Sequence, residues 1–136
     1  MSARSKARKA ALDLLYESDI RKASASDLLS KRITQLDYVV RDFTKELVDG
    51  VELHRRKIDE LITTYSQGWD MDRMPVIDRN ILRLAMYEVL WSSNVPQAVA
   101  IDEALELAQT LSTEESSKYI NGVLSKIVEI KPDLVL

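Results

Sequence analysis

From Asn80 to Trp91 the chain reads NILRLAMYEVLW, apolar at nine of twelve positions. A helix that is apolar on nearly every side must be enclosed, so this stretch predicts the central helix of a bundle. Elsewhere the apolar residues recur at spacings of three and four and do not alternate, and only three Gly and three Pro interrupt them. That periodicity predicts helix almost throughout and an all-α fold. With 136 residues, 46% of them hydrophobic, the chain suffices for one sizeable core, and a single domain over residues 1–136 is expected.

The first helix is predicted to start near Ser2 or Ala3 and to set Ala7, Ala11, Leu14 and Leu15 on one side. Arg4 and Arg8 flank that side, Lys6 and Lys9 point away, and the first turn is expected to project beyond the body. A second helix, opened by Ser26 or Asp27, carries Leu28, Leu29 and Ile33. From Asp37 to about Tyr65 the pattern predicts two helices joined near His54, with Gly50 implying the close approach of another helix. SQGWDMDRMPV, with Gly68 and Pro75, should connect to the central helix, and Pro96 ends the break SSNVP that follows it. Ala98, Ile101, Ala104, Leu105, Ala108 and Leu111 then form a stripe. Thr113 caps a last helix, with Glu114 and Glu115 in its first turn, Ile120, Val123, Leu124, Ile127 and Val128 facing the core, and Pro132 at its end.

Several classes of chemistry lack the residues they need. There is no Cys and one His, His54, which excludes disulfides, thiolate nucleophiles and the common zinc sites; His54, within HRRK, reads as a surface residue. Asp102 with Glu103, and Glu114 with Glu115, are sequence neighbours, which point about 100° apart on a helix and do not make a facing acid pair. No apolar run approaches the roughly 20 residues that span a bilayer, and no apolar stretch of the secretory kind follows the basic start. A cytoplasmic protein without metal, cofactor or enzymatic activity is the expectation.

Charge is segregated along the chain. The whole carries −3, yet Arg4, Lys6, Arg8 and Lys9 precede the first acid, and without them 15 basic and 22 acidic residues leave a body of −7. Such a basic start is either solubilising charge or an arm for phosphates, and charge alone does not choose between them. Arg79 and Arg83 form an i,i+4 pair expected on the polar side of the central helix, where Asp78 is a local partner. In EESSKYINGVLSK, helical spacing puts Tyr119 at the edge of the core stripe, beside Glu115 and Gly122. An aromatic there either finishes the core or offers a face to an unpaired base.

VIDRNILRLAMYEVLWSSNVPQAVAIDEALELAQ followed by TEESSKYINGVLSKI resembles the NusB family of bacterial transcription antitermination factors, and the resemblance runs through the whole chain. It implies a compact bundle of about seven helices in two subbundles that binds boxA-like single-stranded RNA together with the ribosomal protein NusE. It further implies action on the RNA polymerase antitermination complex, notably on ribosomal RNA operons. By the same resemblance Arg4, Lys6, Arg8 and Lys9 belong to the RNA surface, Tyr119 occupies the aromatic position before the NG pair, Glu115 and Lys118 border the site, and Arg79 and Arg83 match basic positions on the adjoining helix. The departure is a thinner basic segment, two Arg and two Lys interrupted by Ser, and Lys lacks the planar guanidinium. The alternative is a helical adaptor or homodimer without RNA contact. A methyltransferase carrying such a module is disfavoured, because the chain has no Gly-rich strand-to-helix turn and no catalytic Cys.

Overall fold

In the computed structural model, which describes residues 1–35 and 37–136, the described residues form seven α-helices and no strand. They are α1 (Ala3–Arg21), α2 (Ala25–Ile33), α3 (Asp42–Leu53), α4 (Arg55–Tyr65), α5 (Val76–Trp91), α6 (Gln97–Leu111) and α7 (Glu114–Ile130), with short 3-10 turns at Met71–Arg73 and Lys131–Asp133. Side chains fix several starts by satisfying a first-turn N–H. The Ser2 hydroxyl accepts from the Ser5 N–H at 3.1 Å, Ser24 from Asp27 at 3.3 Å, and Thr113 from Ser116 at 3.0 Å. Helix α1 stops at Lys22, whose φ of 56° lies in the left-handed region that terminates helices.

Helix α5 is the enclosed helix its composition predicts. It packs against α1 and α3 on one side and α6 and α7 on the other, while α4 adds contacts to α5 and α7. Helices α1, α2 and α3 thus form one subbundle and α6 and α7 the core of a second, with α5 common to both. Ile81, Leu82 and Met86 are fully buried, and one apolar cluster runs from Leu12 in α1 to Ile127 in α7.

Three details differ from the sequence reading. The cap of α2 is Ser24, two or three residues earlier than expected, and Ile33 at its far end is exposed. The third helix begins at Asp42 and not near Asp37, leaving Val39 exposed. Helix α6 buries Ala100, Ala104, Leu107 and Ala108, whereas Ala98 and Leu111 are exposed and Ile101 and Leu105 half-buried. The alanine-rich side lets α6 approach closely, and the larger side chains cover the rim. No helix among the described residues is long and apolar enough to cross a membrane.

The close approach expected at Gly50 is made by Tyr87 of α5, since a Cβ on Gly50 would lie within 2.8 Å of its ring. Tyr87 is itself held in a stack with His54 and Trp91, so the ring has little room to retreat. Gly50→Ala should therefore destabilise the fold by about 1–3 kcal/mol, although alanine alone would favour the helix. A lowered denaturant midpoint at unchanged slope would show this; a raised midpoint would refute it.

Candidate nucleic-acid interface

The direction of three helices decides which predicted residues can act together. Arg8 near the start of α1 meets Glu88 near the end of α5, and Asp19 near the end of α1 meets Arg79 and Arg83 near the start of α5. Helices α1 and α5 are therefore antiparallel. The Ser116 hydroxyl donates to Asp78 at 2.6 Å and Lys131 Nζ to the Val89 carbonyl at 3.0 Å, so α7 runs parallel to α5. The basic segment thus lies at one end of the bundle, and Tyr119, Glu115, Lys118 and Arg79 at the other. The ten residues from Asp78 to Glu88 separate these ends by about 15 Å of helix rise.

At the basic end the first turn is docked and does not project. The Arg8 guanidinium is buried and forks onto Glu88 at 2.8 and 2.9 Å, with Glu103 at 3.5 Å. Burial pushes the Glu88 carboxyl up, against the hydrogen bonds and charge of Arg8. Arg4 is exposed, but its guanidinium lies 4.8 Å from the Phe43 ring centroid and donates to the Asn94 carbonyl at 3.2 Å. The Ser5 hydroxyl donates to Glu103 at 2.7 Å. Lys6 is exposed with no ion pair among the described residues, and Lys9 pairs with Asp13 at 2.7 Å on the surface. Arg4, Lys6 and Lys9 can turn towards a phosphate; Arg8 cannot without abandoning Glu88.

At the other end, Arg83 is buried and is not on a polar side of α5. It bridges Asp59 at 2.9 Å and Asp19 at 2.9 Å, and also donates to Asn80 Oδ1 at 3.1 Å. Arg79 forks onto Asp19 at 2.7 and 2.9 Å and donates to the Met71 carbonyl. Burial alone would raise the Asp19 carboxyl, but hydrogen bonds from Arg79 and Asn80 and the charges of Arg83 and Arg79 prevail, holding it well below the usual carboxylate range. The expected local pairing of Asp78 with an Arg is replaced by its bond to Ser116.

Tyr119 stands half-buried at the rim, as its spacing predicts. Its hydroxyl donates to the Gln67 carbonyl at 3.1 Å, its ring meets Trp69 edge-on at 4.5 Å, and burial pushes its phenol up. Glu115 and Lys118 are exposed beside it, Lys118 with only a loose contact to Glu114 at 3.9 Å. Trp69 is the residue that sequence reasoning missed. The available signal was a large aromatic directly after Gly68 in a connection, where no core stripe claims it. His54 is half-buried and stacked 4.0 Å from Trp91, so its role is packing at the α3–α4 joint and not display on the surface.

Removing one partner of a buried pair leaves the other charge stranded, so Arg8→Ala should cost about 3–5 kcal/mol of stability while Lys6→Ala costs almost none. Urea midpoints of the two variants separate these outcomes. Asp19 has a depressed folded pKa; its stabilisation is present above its ordinary value of 3.8 and is lost as pH falls through the folded one. Asp19→Asn should thus lower stability at pH 7 by about 3 kcal/mol and flatten the loss on acidification. Parallel acid-titration slopes for this variant and the unsubstituted protein would refute the assignment.

The model of the NusB family matches residues 5–129. Over 135 residues the chain is 49% identical to the transcription antitermination protein NusB of Arthrobacter sp. (strain FB24), covering 99% of each. The protein of the same name from Saccharopolyspora erythraea is 51% identical over 132 residues, 96% of this chain and 89% of that one. Among solved structures, T. maritima NusB aligns with a TM-score of 0.83 at 32% identity, covering 98% of this chain and 99% of that chain. A structure of the antitermination factors NusB and NusE in complex with dsRNA aligns at 0.80 and 27% identity, covering 93% and 96%. With sequence and fold matched over nearly its full length, the chain belongs to the NusB family.

Proposed function

We propose that this chain is a transcription antitermination factor that binds boxA-like single-stranded RNA together with the ribosomal protein NusE and acts within the RNA polymerase antitermination complex, notably on ribosomal RNA operons. The observation that supports this reading is the match over nearly the full length to proteins named for antitermination, joined to the fold shared with a structure of NusB and NusE in complex with dsRNA. Its work is binding and not catalysis, by one helical domain in the cytoplasm, where transcription occurs.

The residues supply a mechanism for single strands. An A-form duplex hides its base faces, whereas an unpaired strand offers them to aromatic side chains. Tyr119, backed edge-on by Trp69, presents such a face, with Lys118 beside it and Arg79 in the groove on the other side of Trp69; Glu115 offers a carboxylate to base N–H groups. Arg4, Lys6 and Lys9 serve phosphates at the far end. Arg8 and Arg83 act behind the surface, by holding α1 and α5 in the geometry that displays both patches.

With about three phosphate contacts from the arm at 0.7 each, the plot of log affinity against log salt should have a slope of roughly −2. Lys6→Ala should make it shallower by about 0.7, and Tyr119→Ala should weaken binding by about 1–3 kcal/mol without changing the slope. The measurement is a fluorescence titration of boxA-like RNA, with and without NusE, over a salt series. NusE binding with no RNA affinity under any condition would favour the adaptor reading instead.

A further inference from the structure

Gly122 occupies the interior of α7 without an internal reason to be glycine. Gly50 is explained by the Tyr87 ring and Gly68 by its φ of +81°, but a Cβ on Gly122 would meet nothing within 4 Å. A glycine in a helix interior lowers helix stability relative to alanine, and a bare backbone there suits something that approaches from outside. Gly122 lines a groove of 550 Å³ between the end of α4 and the face of α7, with Tyr65, Gln67, Lys118, Tyr119 and Lys126 around it. Lys118, Gly122 and Lys126 are four residues apart, so they share one face, with the two lysines about 12 Å apart along the axis.

The chemistry of the groove selects its occupant. Its lining has two lysines, two tyrosines and no acid, in a chain of net charge −3. The acid-rich grooves lie elsewhere, one where Asp70 and Asp72 stand beside Asp19 and Asp59, the latter two already paired with Arg79 and Arg83, and another at the far end of the bundle beside Met1, with Asp102, Glu103 and Glu106. Both lysines are exposed, with only loose acidic neighbours at 3.9 and 3.7 Å, so they remain available to another anion. Tyr119 belongs to this groove and to the one beside Trp69 and Glu115, and so forms the wall between them.

We infer that the α4–α7 groove carries a flanking segment of single-stranded RNA past Tyr119, its phosphates on Lys118 and Lys126 and its backbone drawn close to α7 at Gly122. This rests on the RNA-binding reading above and adds a second channel to it. A strand that leaves the Trp69 side of Tyr119 passes Glu115 there and then enters a groove lined by no acid.

The test uses the full chain and boxA-like RNA lengthened one nucleotide at a time from either end. For the unsubstituted protein, affinity should rise as one end grows into the groove and then level off. Lys126→Ala should abolish most of that rise and make the salt slope of the longest RNA shallower by about 0.7, leaving the shortest RNA unaffected. Gly122→Leu, which fills the groove from a helix position open to solvent, should weaken the longest RNA about tenfold at an unchanged or raised melting temperature. Equal affinities of both variants and the unsubstituted protein at every length would overturn the inference. So would loss of NusE binding in Gly122→Leu with RNA affinity intact, which would assign the groove to the protein partner. Absence of RNA binding by the unsubstituted protein at all lengths would instead overturn the functional reading itself.

Discussion

The antiparallel clasp between α1 and α5 is the constraint on which the rest of the structure depends. It is made twice, by Arg8 on Glu88 at one end and by Asp19 on Arg79 and Arg83 at the other. Buried ion pairs are poor sources of net stability, because desolvation offsets most of the attraction. Their effect here is on direction. Were α1 to pack in the reverse sense, Arg8 would approach Arg79 and Arg83, and Asp19 would approach Glu88, burying like charges together. Apolar burial makes α5 central, and the charges decide which way α1 lies on it.

That division explains what sequence reasoning reached. NILRLAMYEVLW predicts an enclosed helix because enclosure follows from composition alone, and Thr113 predicts a cap because its partner is three residues away. The same reasoning put Arg83 on a polar side and let the first turn of α1 project. Both errors have one cause, since the partners lie far off in sequence, Glu88 eighty residues from Arg8 and Asp19 sixty-four from Arg83. A local pattern marks an arginine as charged and cannot show that a distant carboxylate neutralises it. The α6 register failed differently. Alanine sits equally well in a stripe or beside it, and the tight packing against α5 and α7 that selects Ala100 and Ala104 is visible only in the fold.

Of the candidate site, the position of Tyr119 at the rim was legible, because an amphipathic helix fixes which residues lie at the edge of its apolar face. Trp69 was not, since the path of the connection that brings it edge-on to Tyr119 is set by tertiary contacts and not by periodicity. The basic arm was legible as a cluster but overcounted. One of its four bases belongs to the clasp, and Arg4 is drawn over Phe43, so the surface it offers is smaller than its composition suggests.

On the RNA surface proposed above, the separation of the two patches governs how so sparse a set of bases would hold a strand. At physiological ionic strength charges are screened within about 8 Å, so patches about 15 Å apart along α5 do not reinforce each other through the field. A single strand that touches both does couple them, because binding at one end raises the local concentration of the strand at the other. Each patch can then be weak, because a polyanion that reaches only one of them gains no such coupling. Selectivity arises on this view from the length and path of the strand as much as from any single contact. The clasp is what keeps that distance fixed: loosening Arg8 from Glu88 would free one more cation for phosphate while surrendering the spacing that makes the two patches act on one RNA.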